Sequence, residues 1–359
     1  MVPSTPGAGI VGRVARITTF HLPVIIVAGV LVMAALTRLQ QMFNWQGEWL
    51  LKLTEGVSNF SAVFLGIFIE AAPYLLLGTL ASGLVEVFFS PEEITRLLPR
   101  SRFLSIGFGG LLGLFFPVCE CGSIPLARRL MRKGLPVPVG IAFLLAAPVI
   151  NPIVIASTFA AFGNTPIFWL RFGLTLLIAI GVGLLFMFES DGNRVIRSLN
   201  VELSQSFHFH GEHDHDFGNS TSSVIQKLKK VTIIAADEFF EMGRFLVIGA
   251  FLAALMQTVV PQSWLLSLGQ GPILSAVVLS LLAVLLSVCS TVDSFIALAF
   301  SGTFSSGAVL AFLVYGPMVD IKATLMYLRV FNRRTVGVLV ILPWLLTIIS
   351  STVINLWMR

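Results

Sequence analysis

Residues 118–122 read Val-Cys-Glu-Cys-Gly, and they lie in the middle of a long apolar region. Two thiols flank a carboxylate in this stretch, and a cluster of arginine and lysine follows at 128–133. An ionisable side chain at mid-depth in lipid costs about 2.5 kcal/mol or more, so such groups usually face a cavity and mark a transport or binding site. The pattern returns at 288–293 as Val-Cys-Ser-Thr-Val-Asp, which makes it informative about the whole chain.

The composition around these stretches is that of a polytopic membrane protein. Of the 359 residues, 56% are hydrophobic and only 11% are charged, whereas soluble domains carry about 25% charged residues. The net charge of +5 comes from Lys and Arg clustered in a few loops, which indicates membrane orientation rather than nucleic-acid binding. Three cysteines cannot form a disulfide framework. Apolar runs long enough to span lipid occur at 20–38, 57–89, 135–163, 166–189, 237–260, 307–328 and 335–357.

The chain also contains an internal repeat, with offsets of 171, 170 and 169 residues at three successive anchors. The anchors are Phe68-Ile69-Glu70 with Gly78 against Phe239-Phe240-Glu241 with Gly249, Val118-Cys119 against Val288-Cys289, and Ala142-Phe143-Leu144 with Asn151 against Ala311-Phe312-Leu313 with Asp320. Similar apolar composition could produce one such match, but three in order with polar partners in register indicate a duplication. We therefore divide the chain into an N-terminal tail, first helix and loop (1–56), a first membrane repeat (57–189), a His-rich loop (190–235) and a second membrane repeat (236–359).

The placement of Lys and Arg predicts how the repeats are oriented. All basic clusters can be cytoplasmic only if the apolar stretch 103–127 enters and leaves the membrane on one side, as a re-entrant hairpin. When the membrane crossings are counted in the same way, the stretch 271–304 forms a second hairpin that enters the membrane from the outside. The expected fold is an all-α membrane protein with two inverted repeats, each with a broken or re-entrant hairpin, plus one extra N-terminal helix. Inverted repeats with broken elements at the midplane are typical of secondary transporters. If each hairpin is instead two full spans, the inversion survives and the number of helices rises.

The hairpin tips carry the candidate substrate-binding residues. In a regular helix, two residues with one residue between them point about 200° apart, but at a turn both thiols can face one point. Thiolates suit soft, thiophilic ions, and a carboxylate there balances charge or accepts protons. The alternative is that cysteine is simply a small buried residue. Prolines at 148 and 152 and at 317 predict helix breaks that expose polar groups to the pathway. The candidate substrate-binding residues are Cys119, Glu120, Cys121, Cys289, Asp293, Asn151 and Asp320.

A second set of polar residues is expected to line the pathway or to couple transport to an ion gradient: Glu70, Glu241, Arg244, Ser290, Thr291 and Lys322. Glu241 and Arg244 lie one helical turn apart, so they are candidates for an internal ion pair. Arg171, near the start of its helix, is expected to snorkel to the membrane interface.

The loop between the repeats concentrates histidines and carboxylates in nine residues, 208–216. Imidazole and carboxylate suit zinc, nickel or copper(II), so the loop is a candidate for a weak, exchangeable metal site. The alternative is a solvated low-complexity linker. The candidate ligands are His208, His210, His213, His215, Asp214 and Asp216.

Several of these motifs resemble a known family. The chain resembles the predicted-permease family that contains the ArsP-type organoarsenical efflux permeases and the YraQ-type permeases. The resemblance is most specific at 119–128 and 144–152 in the first half and at 289–297 and 316–322 in the second. The resemblance covers residues 57–357. It implies an inner-membrane permease, and some relatives export trivalent organoarsenicals or are associated with divalent-metal tolerance.

The sequence therefore predicts a secondary efflux permease for a thiophilic metal or metalloid, in the cell inner membrane, with its N-terminus and His-rich loop cytoplasmic. It predicts no cofactor and no enzymatic activity. The expected partners are membrane lipid and the transported ion or small solute, and homo-oligomerisation stays open. One alternative is a carrier for an organic or anionic solute with structural cysteines; another is a membrane enzyme or insertase-like scaffold. Serine substitution of the cysteines separates the first two, because undiminished transport would favour the carrier.

Overall fold

The computed structural model describes residues 27–35, 38, 48–116, 118–187, 195, 224–259, 271 and 273–357. After a helical stretch at 27–35, the main helices in chain order are α1 (Glu48–Phe88), α2 (Pro91–Leu97), α3 (Arg102–Leu111), α4 (Glu120–Arg132), α5 (Val137–Ala146), α6 (Pro152–Phe162), α7 (Pro166–Phe186), α8 (Val224–Val259), α9 (Leu274–Leu286), α10 (Asp293–Phe300), α11 (Ser306–Met318), α12 (Ile321–Val330) and α13 (Arg333–Trp357).

Within the described residues, five stretches are long and apolar enough to cross a membrane: Thr54–Phe88, Pro166–Phe186, Val224–Val259, Ser306–Val330 and Arg333–Trp357. They match five of the predicted spans, and they confirm an all-α polytopic membrane protein. Helix α8 begins at Val224, inside the segment predicted to be a loop. Its first turns are polar but carry good helix formers such as Gln226, Lys227 and Lys229, so the helix extends beyond its apolar part.

The first predicted hairpin consists of helices too short to span. Helix α3 and a 3₁₀ turn together cover Arg102–Leu114, or about 20 Å at 1.5 Å per residue, against roughly 30 Å of hydrocarbon. The chain is then non-helical at Val118 and Cys119 before α4 starts. The Cys119 carbonyl accepts the backbone amides of Gly122 at 3.1 Å and Ser123 at 2.9 Å, which begins the new helix.

The second hairpin repeats this local geometry. Helix α9 ends at Leu286, and Ser287 takes a left-handed conformation with φ 46° and ψ 40°. The Cys289 carbonyl then accepts the amides of Val292 at 3.0 Å and Asp293 at 3.1 Å. Both cysteines thus occupy the same position, at the entry to the second helix of a hairpin.

The predicted helix breaks are also present. Helix α5 ends before Ala147, and α6 restarts after Asn151, whose side-chain oxygen accepts the amides of Ile153 and Val154 at 3.0 Å each. Helix α11 ends at Met318, and the Asp320 side chain caps α12 by accepting the amide of Ala323 at 2.6 Å. Asn and Asp are favoured at this position because they satisfy otherwise orphaned helical amides.

Packing between helices follows the repeat in several places. Helix α3 packs on α5 as α9 packs on α11, and α5 packs on α7 as α11 packs on α13. Helix α1 lies along α8. The two halves also exchange contacts, because α4 packs against α12 and α6 against α10. These last two contacts place each hairpin against the broken helix of the other half. The opposite orientation of the halves across a membrane stays a prediction.

Helix α1 approaches α4 very closely next to the cysteine motif. A Cβ atom on Gly78 would collide with the backbone of Gly122, and one on Gly122 would lie 2.8 Å from the carbonyl oxygen of Tyr74. Two glycines are therefore required for this contact, which holds the start of α4 against α1.

Candidate functional site

The two hairpin tips meet at a buried group of soft and acidic ligands. The Cys119 sulfur, a Glu120 carboxylate oxygen and the Cys289 sulfur all lie within 4.8 Å of one another. All three residues are buried, and all three cysteines of the chain are free thiols. We call Cys119, Glu120 and Cys289 the cysteine group. One cysteine comes from each repeat, so the group exists only when the two halves are assembled.

Three further residues surround the cysteine group. Cys121 is fully buried, and its thiol is within hydrogen-bonding reach of Cys119. From α1, the Glu70 carboxyl faces the backbone amide of Cys289, and Tyr74 lies near both Cys119 and Cys289. Among the residues that the structure describes, none donates a hydrogen bond to the buried oxygens Oε1 of Glu70 and Oε2 of Glu120. Because buried polar atoms are usually satisfied, these two oxygens are candidates for contact with a ligand.

Lys322 provides the positive charge next to the cysteine group. Its ammonium nitrogen lies 3.4 Å from Glu120 Oε1 and 3.3 Å from Asp320 Oδ2, and it donates to the Ser287 carbonyl at 2.7 Å. Lys322, Asp320 and Glu120 are each at most 2% exposed. A buried lysine with two carboxylate neighbours is a charged, paired group, since an unpaired buried ammonium would be strongly destabilising.

Asp293 lies in a separate cluster rather than in the cysteine group. Its carboxylate accepts two hydrogen bonds from Arg171 Nη2, at 2.7 and 3.0 Å. Arg171 Nη1 donates to Thr158 Oγ1 at 2.9 Å and to Ser294 Oγ at 2.7 Å. The expectation that Arg171 snorkels to the interface is wrong, because its side chain is 0% exposed. The carboxylate of the second hairpin holds the arginine inside the protein.

Glu241 pairs with arginines on other helices rather than with Arg244. Arg128 lies 3.2 Å from one oxygen of Glu241 and Arg329 lies 3.0 Å from the other. Arg244 donates instead to the backbone carbonyl of Glu241 at 3.1 Å and stacks over the ring of Phe245. The predicted internal pair is therefore wrong, since the side chain of Glu241 bridges α4 and α12 from α8.

Further ion pairs connect the C-terminal end of α4 to neighbouring helices. Arg129 lies 3.3 Å from Glu238 and 3.5 Å from Glu86, and Lys133 lies 3.7 Å from Glu86. The basic end of α4 is thus tied to both α1 and α8. The basic partners of these ion pairs lie about two to four helical turns beyond Glu120, at the C-terminal end of α4.

The remaining predicted residues have mixed placements. Asn151 is a helix cap whose Nδ2 also donates to the carbonyl of Ala147 at 3.3 Å, so it shapes the break. Ser290 is 1% exposed and its hydroxyl oxygen has no hydrogen-bond partner within the described part of the chain, while Thr291 is half-buried. The His-rich segment 208–216 lies outside the described residues.

Sequence reasoning missed two contributors, Tyr74 and Arg171. Tyr74 follows Glu70 by one helical turn, so its shared face with a membrane carboxylate was the available signal. Arg171 is the sixth residue of the 21-residue helix α7, so its position in the sequence is compatible with the interface; its buried position depends on Asp293, a partner 122 residues away.

A cavity of about 310 Å³ lies between α1 and α8, lined by Asn59, Ala62, Val63, Gln257 and Thr258. Asn59 precedes Glu70 on α1 by a distance of about 16 Å. The cavity is therefore not the cysteine group. It lies toward the end of the two helices opposite to the ion pairs of α4.

Comparison with known proteins agrees with this architecture. A family model described as "Predicted permease", of the ArsP type, matches residues 57–356. The chain is 44% identical over 283 residues to "UPF0718 protein YcgR" of Bacillus subtilis, covering 79% of this chain and 92% of that protein. It is 40% identical over 283 residues to the "Putative two-component membrane permease complex subunit" of Streptococcus mutans, covering 79% of this chain and 90% of that protein. No solved structure matches it.

The described residues form a multi-pass helical protein, and the family model matches most of the chain. The chain therefore belongs to the ArsP-type family of predicted membrane permeases.

Proposed function

We propose that this permease exports a thiophilic metal or metalloid, and that Cys119, Glu120 and Cys289 bind it. The observation that carries the proposal is the meeting of two thiols and a carboxylate, all buried, within 4.8 Å. Thiolate sulfur selects soft ions over hard ones such as Mg²⁺ or Ca²⁺. Purely structural cysteines would not require an adjacent carboxylate with one unpartnered oxygen.

The position of the group between the halves supports alternating access. A site made from both repeats is completed or opened when one half rocks against the other. The cavity between α1 and α8 would be the approach from one side. The ion pairs of Arg128, Arg129 and Glu241 would close the other. If the basic loops are cytoplasmic, the protein lies in the cell inner membrane with the cavity facing outward.

The decisive experiment measures thiol-dependent flux in membrane vesicles. Everted vesicles from cells that express the full chain would be incubated with external Cd²⁺ or with the trivalent arsenical phenylarsine oxide, with and without a proton gradient. Export predicts accumulation inside everted vesicles, measured by elemental analysis. Cys119→Ser and Cys289→Ser should each abolish most of it, because a hydroxyl is a poor ligand for soft ions.

The control separates binding from folding. Serine nearly preserves the volume of cysteine, so the yield and the elution profile of each variant should match those of the wild type. Flux that persists undiminished with all three cysteines replaced would contradict the proposal. That result would favour a carrier of an organic or anionic solute with structural cysteines.

The Streptococcus relative is named as a putative subunit of a two-component membrane permease complex, so the experiment has to distinguish a failed binding site from a missing second subunit. All three residues of the cysteine group lie within this chain, so we expect the purified chain to bind the probe without that subunit. Wild-type binding without flux in vesicles would therefore indicate that a partner is missing, and loss of binding in Cys119→Ser would still identify the site.

A further inference from the structure

Lys322 stands out among the residues near the cysteine group because it opposes the charge of a metal ion. Its ammonium lies 3.4 Å from the same Glu120 carboxylate that would bind the ion. It also lies close enough to Cys121 and Cys289 to interact with them electrostatically. A site that only needed to bind cations tightly would not place a fixed cation beside its ligand.

The lysine is held in this position by its surroundings. The Ser287 carbonyl accepts a hydrogen bond from Nζ at 2.7 Å, and Asp320 lies 3.3 Å from it. A Cβ atom on Gly249 would lie 2.8 Å from Lys322 Cα and 3.3 Å from its Cβ, so α8 packs directly on the stem of the lysine. The ammonium therefore cannot move far from Glu120 when an ion arrives.

The geometry sets how strongly the two charges interact. A metal–carboxylate bond is about 2.2 Å long, and Lys322 faces Oε1 of Glu120 at 3.4 Å, so an ion bound to the other oxygen, Oε2, lies within about 8 Å of the lysine nitrogen. Coulomb repulsion at that distance is proportional to the charge of the ion. A doubly charged ion is repelled twice as strongly as a singly charged one, and a neutral species is not repelled.

We propose that Lys322 is a charge selector, which makes the cysteine group favour soft species of charge zero or +1 over equally soft divalent ions. The inference rests on the proposed function and narrows its substrate class. Cu(I)-like ions and uncharged thiol-binding metalloids meet the condition. The site binds Zn²⁺ and Cd²⁺ more weakly than their affinity for thiolate ligands alone would predict.

The test compares two soft ions that differ in charge, Ag⁺ and Cd²⁺. The full chain in nanodiscs is equilibrated with each ion in chloride-free buffer, and bound metal is counted after dialysis. Lys322→Met keeps the length of the stem and removes the charge, so the affinity for Cd²⁺ relative to Ag⁺ should rise about tenfold or more. Lys322→Arg keeps the charge and should stay near the wild-type ratio.

A second variant shifts the local charge in the opposite direction. Asp320→Asn removes a negative charge beside Lys322, while asparagine still caps α12, so the Cd²⁺-to-Ag⁺ affinity ratio should fall by a similar factor. If Lys322→Met does not fold, Lys322→Gln takes its place, because glutamine also removes the charge and keeps a hydrogen-bond donor for the Ser287 carbonyl.

The outcomes distinguish the two levels of the hypothesis. An affinity ratio that stays constant in Lys322→Met and Asp320→Asn, while Cys119→Ser loses both ions, overturns the charge selector and leaves the cysteine site intact. Equal binding of both ions by the wild type and by a Cys119→Ser/Cys289→Ser variant overturns the proposed function, and the charge selector with it.

Discussion

The ion pair between Arg171 and Asp293 gives the most quantitative prediction. Arg171→Met should destabilise the protein by about 3–5 kcal/mol, because breaking a buried pair leaves an uncompensated charge inside. The structure supports the upper part of this range. Both partners are at most 4% exposed, and the arginine also donates to Thr158 and Ser294 at 2.9 and 2.7 Å. Each of those hydrogen bonds adds about 1 kcal/mol.

The double variant Arg171→Met/Asp293→Asn separates the charge from the packing. With neither charge present, the loss should be only about 1–2 kcal/mol, so the two substitutions should be non-additive by at least about 2 kcal/mol. The assay is reversible unfolding in mixed micelles by titration with SDS, followed by far-ultraviolet circular dichroism. A single substitution that costs less than about 1 kcal/mol, or losses that simply add, would refute the idea that this pair binds the second hairpin to the first half.

Three further predictions concern the frame around the site. Gly78→Ala should push α4 away from α1 and lower both thermal stability and flux. The control is Gly66→Ala on the same helix, where a Cβ meets no atom within 4 Å, so its stability and flux should equal those of the wild type. Equal thermal stabilities of the two variants would contradict the close contact. Glu241→Gln should destabilise by about 1–3 kcal/mol through two weakened arginine contacts, measured by SDS titration, while the exposed Glu92→Gln should change stability by less than about 0.5 kcal/mol. Asn151→Ala should cost about 1 kcal/mol or more through loss of the cap on α6, and Asn151→Ser, which keeps an uncharged capping oxygen, should restore part of the lost stability. An alanine variant as stable as the wild type in the same titration would argue against the capping role.

The sequence predicts the local elements of this fold well because each has a local cause. Apolar length identifies the long spans, and the hairpins follow from apolar stretches interrupted by polar residues. Proline with Asn151 marks the break in the first half, and Pro317 with Asp320 marks it in the second. Each of these features depends on residues within a few positions of one another, so no knowledge of the tertiary arrangement is needed.

The candidate site is only partly predictable, for a reason visible in its pairings. The repeat correctly suggests that the cysteines of the two halves are related, but it does not reveal which charge neutralises which. Lys322 pairs with Glu120 across 202 residues, and Arg171 pairs with Asp293 across 122. Helical periodicity carries no information about such partners. Glu241 and Arg244 have a spacing that favours a local ion pair, but the carboxylate of Glu241 binds arginines from two other helices instead.

The reciprocal pairing of the two halves has a consequence for how the chain is made. Glu120 and Arg171 belong to the first half, and their partners are synthesised 202 and 122 residues later. At about 5–20 residues per second, these intervals last roughly 10–40 s and 6–24 s. During that time a carboxylate and a guanidinium have entered the membrane region without the groups that will neutralise them. The nascent first half must therefore keep both side chains in contact with water or with other protein until the second half arrives. Slower translation of residues 190–322 would lengthen the period in which the two charged side chains wait for their partners.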